Sequence, residues 1–154
     1  MRRAGGPDRH QPAGGSTLAV NRDGYPERVK VLLDANALMM PAQFKIDLFS
    51  EIGKLLGSFE PVVLPGVVQE LAGLSRAKGN DGAAARLGLA LVGQCTVAES
   101  PGSSIPVDDQ VIAWASGKDR LVATNDRRVR DALLAKGIGV ISMRKQKKLE
   151  ILRR

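Results

Sequence analysis

The sequence predicts an α/β protein: a three-layer α/β/α sandwich around a central parallel sheet of about five strands. Three observations carry that expectation. From residue 29 onward, short and mostly apolar runs alternate with stretches of helical periodicity, the pattern of strands buried on both faces and joined by crossover helices. The chain has 154 residues, 44% of them hydrophobic, which suits one domain burying roughly two-thirds of its unfolded surface. The charge is unevenly placed. Of the net +7, residues 1–28 carry five Lys/Arg against three Asp/Glu and residues 144–154 six against one, so residues 29–143 hold twelve of each and are neutral.

The elements follow in order. Residues 1–28 hold five Gly and three Pro without periodicity, and read as a disordered N-terminal tail or an over-extended start. Val29-Lys-Val-Leu-Leu forms a first strand that ends at Asp34. Beyond Pro41, the residues Phe44, Ile46, Leu48, Phe49, Ile52, Leu55 and Leu56 recur mostly every third or fourth position. Lys45, Glu51 and Lys54 lie opposite, which predicts one amphipathic helix over 43–56, ended by Gly57. Pro61-Val-Val-Leu is a second buried strand, and Pro65 opens a helix carrying Val67, Val68, Glu70, Leu71 and Leu74. Asn80 is the expected N-cap of a helix running from Asp81 to Val92. Cys95-Thr-Val-Ala is strand by its β-branched content, and the Ser/Pro/Gly-rich 100–104 is loop. A helix starts at Pro106 or Val107 with Val111, Ile112 and Ala115 inward. Leu121-Val-Ala-Thr is strand, Arg127 to Lys136 is helix stopped by Gly137, and Ile138 to Ile141 is the last strand. Residues 144–154 are left as a basic C-terminal tail.

Composition excludes several chemistries. With one Cys (Cys95) and one His (His10), neither a Cys/His zinc site nor a Ser-His-Asp or Cys-His nucleophile can be assembled within the domain. A lone Cys permits no internal disulfide, which fits a reducing compartment, and the cytoplasm is the expected location. No apolar run approaches the roughly 18 residues of a membrane span, and Arg2-Arg3 is followed by no apolar signal segment. Gly14-Gly15-Ser-Thr has no strand before it, which disfavours a phosphate-binding nucleotide loop.

The functional reading comes from four acids. Asp34 ends the first strand and Asp126 lies just past the fourth, while Glu70 and Asp108 are placed in first helical turns after strand exits or loops. In a parallel sheet, strand C-termini and the following helix N-termini share the edge where ligands bind, so all four carboxylates are expected to face one crevice. Taken singly, each reads more readily as a helix cap or a complement to the helix dipole, and it is the four on one edge that point to a site. Four together would repel and raise one another's pKa, a conflict that Mg²⁺ or Mn²⁺ removes, as hard cations suited to carboxylate oxygens. Such a centre activates water for phosphodiester hydrolysis, with one metal or two left open.

Leu33-Asp34-Ala35-Asn36 after the first strand, Glu70 in Val-Val-Gln-Glu-Leu, Asp108-Asp109-Gln-Val-Ile and Thr124-Asn125-Asp126 together resemble the PIN-domain ribonucleases over residues 29–143. The resemblance implies a PIN-like nuclease domain and metal-dependent cleavage of RNA. It also implies that Asp34, Glu70, Asp108 and Asp126 are the catalytic, metal-binding residues. It assigns Asp108 rather than Asp109 as ligand, with Asp109 a supporting acid or a helix-start charge. Asn36 matches the position of a small polar residue that orients the first Asp, and Thr124 and Asn125 look like further supports. Met39-Met40-Pro41-Ala-Gln43-Phe44-Lys-Ile-Asp47-Leu-Phe49 and Arg120-Leu-Val-Ala-Thr-Asn-Asp look most like archaeal relatives of small-subunit rRNA-processing members. A toxin of a toxin–antitoxin pair shares the four-acid pattern. An antitoxin or a pre-ribosomal particle is therefore the implied protein partner, beside RNA and no membrane, and whether the chain forms a homodimer is left open.

Arg127 and Arg128 beside Asp126, and Arg144, Lys145, Lys147 and Lys148 after the last strand, are the expected RNA phosphate contacts. The C-terminal run is equally a solubilising tail. Tyr25, Phe44, Phe49, Phe59 and Trp114 are the only aromatics and mostly read as core, so recognition by base stacking is not expected. A catalytically silent RNA-binding assembly factor on the same fold is the competing class. The four intact acids count against it.

Overall fold

The computed structural model describes residues 28–102 and 104–153. The expected N-terminal tail, apart from Arg28, lies outside the described residues. The chain runs β1 (Val29–Leu33), α1 (Ala35–Phe44), α2 (Leu48–Leu56), β2 (Phe59–Val63), α3 (Pro65–Leu74) and α4 (Gly79–Val92). It continues as β3 (Thr96–Val97), α5 (Val107–Ala115), β4 (Arg120–Ala123), α6 (Arg127–Ala135), β5 (Val140–Arg144) and β6 (Lys148–Leu152). The strands form one sheet in the order β3-β2-β1-β4-β5-β6, flanked by helices. All pairings are parallel except β5 with β6. β1 is central because Val31, Leu32 and Leu33 leave nothing for water to reach on either face, and each is fully buried. α1, α3 and α4 pack on one another, and α5 packs on α6.

Successive connections from β1 lead first to β2 on one side and later to β4 on the other. The direction of winding therefore switches between β1 and β4, and their carboxyl ends diverge there into a crevice.

Four expectations need correction. The single helix over 43–56 is two helices. α1 starts directly at the Asp34 cap and carries Pro41 inside, because Leu38, Met39 and Met40 are buried along it and their packing outweighs the missing N–H. It ends on left-handed Lys45 (φ 56°), and Asp47 caps α2 by accepting from Ser50 N. α4 starts two residues early, at Gly79, so Asn80 lies inside it and Lys78 takes the cap position without a side-chain bond. The third strand is only Thr96–Val97.

The fourth correction concerns residues 144–154, which do not trail free. β5 extends to Arg144, and β6 pairs antiparallel to it with Met143 opposite Leu149 and Ile141 opposite Ile151, making a sixth strand that packs against α2. Leu149 is buried, which gives the hairpin its hold on the core. Gly137 does stop α6 as expected. At φ +77° it lets Ile138 N reach Leu133 O and its own N–H reach Leu134 O, both at 3.0 Å.

Candidate active site

The switch point is occupied by two of the four acids. Asp34 leaves β1 in extended conformation and caps α1: its Oδ1 accepts from Asn36 N (2.8 Å) and Ala37 N (3.3 Å). Its Oδ2 accepts from the Thr124 hydroxyl at 2.6 Å and from Asn36 Nδ2 at 3.2 Å. Asp126 leaves β4 next door and caps α6 in the same way, Oδ1 accepting from Arg128 N (2.9 Å) and Val129 N (3.3 Å). Capping and site-building are thus one geometry: the turn that starts each helix fixes a carboxylate at the sheet edge.

Glu70 and Asp108 come from helices. Asp108 is in the first turn of α5, as expected, while Glu70 is in the second turn of α3, since that helix starts at Pro65. Asp34 is 7% exposed, and burial pushes its carboxyl up to about 6 against the pull of its Thr124 and backbone hydrogen bonds, with Glu70 adding to the rise. Burial likewise raises Glu70, followed by repulsion from Asp108 and then Asp126. Glu70 thus couples through space to each of the other three acids.

The supporting residues interlock. Asn36 gives Nδ2 to Asp34 and accepts Asn125 N at 2.7 Å, while fully buried Thr124 also accepts Asp126 N at 3.1 Å. Asn125 turns away from the acids toward β5, where its Oδ1 accepts from Ser142 Oγ (2.9 Å) and Met143 N (3.0 Å). Asp109 is exposed beside Asp108 with no partner among the described residues, which suits a charge at a helix start.

Sequence reasoning missed Ser142 and Gln110. A polar residue in the run Val-Ile-Ser-Met was the available signal for buried Ser142. Buried Gln110 holds the loop before α5 by donating to Ile105 O at 2.8 Å and accepting from Ser100 Oγ at 3.3 Å.

No group of three acidic, His or Cys side chains among the described residues is gathered closely enough to hold a metal ion as it stands. The donor chemistry nevertheless fits a hard divalent cation. Glu70, Asp108 and Oδ2 of Asp126 have no hydrogen-bond or ion-pair partner among the described residues. Their shared repulsion is what a cation would relieve. Arg127 and Arg128 are exposed in the first turn of α6.

A fold wound to a switch point lined with carboxylates defines a class, and comparison with known proteins places the chain in it. Residues 31–146 match the model of the PIN-like domain family, and the chain belongs to that family. It is 28% identical over 127 residues to ribonuclease VapC4 of Methanocaldococcus jannaschii, an alignment covering 79% of this chain and 95% of that protein. It is also similar to the solved structure of the PIN domain endonuclease Utp24, at 25% identity and a TM-score of 0.69, covering 81% of this chain and 92% of the other.

Proposed function

We propose that this chain is a metal-dependent endoribonuclease that hydrolyses RNA phosphodiester bonds at the edge between β1 and β4. The observation that carries the reading is two strand-end carboxylates at the switch point of a PIN-like fold, buried Asp34 and open Asp126, with helix-borne Glu70 repelled by both and by Asp108. The ribonuclease and endonuclease relatives support the same chemistry.

Glu70, Asp108 and Asp126 would hold Mg²⁺ or Mn²⁺ through their uncommitted oxygens. Asp34, clamped by Thr124 and Asn36, would supply the fourth donor by releasing its longer contacts. When bound, such a cation lowers the pKa of a water and offsets the charge gathering on the scissile phosphate. The chain's own part is to keep the donors oriented and to bring the phosphate in. Arg127 and Arg128 stand where a helix dipole disfavours cations, and neither forms an ion pair among the described residues, so both are free for a phosphate. No helix among the described residues is long and apolar enough to cross a membrane.

RNA incubated with the protein and Mn²⁺ is expected to be cut, EDTA to abolish cutting, and Asp34→Asn or Asp126→Asn to do the same with the far-UV spectrum retained. Unchanged cleavage in either variant overturns the four-acid site. Any cation-dependent cleavage sets aside the silent assembly factor. For the target we favour a ribosomal RNA precursor, on the resemblance of residues 39–49 and 120–126. A toxin would use the same chemistry but would arrest growth on expression in a host cell, with Asp126→Asn harmless.

A further inference from the structure

We propose that the β5–β6 turn is a folded RNA-gripping element, fixed to the acidic edge through Asn125, which holds backbone phosphates of the RNA next to the bond to be cut. The inference rests on the nuclease reading above and adds to it a second contact surface.

Residues 144–148, Arg-Lys-Gln-Lys-Lys, are all exposed, and none of their four cations forms an ion pair among the described residues. They are not a tail whose charges sample solvent at random. Arg144 pairs with Lys148 across the hairpin, and Lys147 N donates to Arg144 O at 3.1 Å, which closes a tight turn. Lys145 (φ 52°) and Gln146 (φ 59°) both occupy the left-handed region. A turn of this kind favours Asn-Gly, which would be less strained and would carry no charge. The chain instead places long polar side chains there against the backbone's preference, as strained segments at functional sites do.

Position supplies the second reason. β5 runs parallel to β4, so the turn leaves the sheet on the edge that carries Asp34 and Asp126. Asn125 lies between Thr124 and Asp126, and its Oδ1 binds Ser142 Oγ and Met143 N, the two residues before Arg144. One side chain thus ties the basic turn to the acidic edge. With Arg127 and Arg128 on the same edge, cations stand on either side of Asn125.

The chemistry selects the partner. The turn offers ammonium and guanidinium donors with no aromatic residue among them, so it grips phosphates and reads no bases. Each phosphate it neutralises should contribute a slope of about 0.7 to the fall of log affinity with log salt for a single strand.

The test uses the full chain, with EDTA present so that nothing is cut, and a fluorescent single-stranded RNA titrated by anisotropy over a salt series. The variant Lys145→Asn/Gln146→Gly/Lys147→Ala keeps the hairpin by giving the turn its preferred residues. It should melt no lower than wild type, bind RNA at least several-fold more weakly at low salt, and show a slope shallower by roughly 1.4, two contacts' worth. An unchanged affinity and slope in a protein whose wild type still cleaves RNA overturns the gripping turn and leaves the nuclease reading standing. A wild type that neither binds nor cleaves RNA overturns both.

Discussion

Thr124 is the residue on which the two strand-end acids depend together. Its hydroxyl donates to Asp34 Oδ2 and accepts from Asp126 N, so one buried oxygen sets both positions. Thr124→Val keeps the shape and removes both bonds. Cleavage should fall roughly 10- to 100-fold, as when an outer support of a metal ligand is lost, and Thr124→Ser should restore most of it. Equal activity in the valine variant would show that the hydroxyl merely completes a strand end. Asp34 makes a separate prediction about stability. Its carboxyl titrates at about 6 in the fold against an unperturbed 3.8, so between those values the folded protein holds a proton that the unfolded chain lacks. This group therefore opposes folding in full near neutrality, and the penalty is relieved as pH falls from about 6 toward 4. In EDTA, Asp34→Asn should gain up to about 3 kcal/mol relative to wild type near pH 7, less whatever an amide facing the Thr124 hydroxyl costs, and the gain should shrink as pH approaches 4. Urea denaturation at the two pH values reads it, and a difference independent of pH would contradict the raised carboxyl.

At the scale of elements, what the sequence revealed and what it hid divide by the kind of signal. β1, β2 and β4 are apolar runs long enough to show themselves, and with them came Asp34 and Asp126, because an acid directly after such a run is fixed by the strand itself. Asp108 was legible through Pro106 at a helix start. Glu70 was legible as an acid but one turn misplaced, since nothing local marks how far along a helix a side chain must stand to reach a crevice. The break at residues 45–47 was hidden because the periodicity of Phe44, Ile46, Leu48 and Phe49 runs across it, and the left-handed turn falls on a lysine rather than a glycine. The hairpin was hidden for the same reason: its turn carries Lys-Gln where Asn-Gly would have announced it. The break is open to direct test. Asp47→Ala removes the bond to Ser50 N and should cost about 1 kcal/mol, whereas Lys45→Gly relieves the positive φ and should stabilise by up to about 1 kcal/mol. If one helix ran through this region in solution, the signs would reverse, because alanine would favour it and glycine would weaken it.

For the whole molecule the charge map matters more than its total. Residues 29–143 hold equal numbers of acidic and basic residues, yet four acids are drawn to one edge while cations gather at the turn between β5 and β6 and at the start of α6. Burying Glu70 and bringing Asp108 and Asp126 within electrostatic reach of it works against folding, and both effects, burial first, raise the Glu70 carboxyl. Any cation that binds this edge in the folded state and not in the unfolded chain must repay that cost as stability. At a hundred times its dissociation constant it contributes about 2.7 kcal/mol, which for a chain of this size raises the melting temperature by roughly 5–11 °C. Mn²⁺ should therefore raise the midpoint in a concentration-dependent manner with no RNA present. Asp126→Asn should start from a higher metal-free midpoint, having lost one of the repelling charges, and gain much less from the metal. Both variant results differ from those of an adventitious surface site, where losing Asp126 would lower or leave unchanged the metal-free midpoint and leave the Mn²⁺ gain intact. A thermal melt of the two proteins with and without Mn²⁺ thus separates a carboxylate cluster assembled for a cation from two helix caps and two helix-borne acids that happen to share an edge.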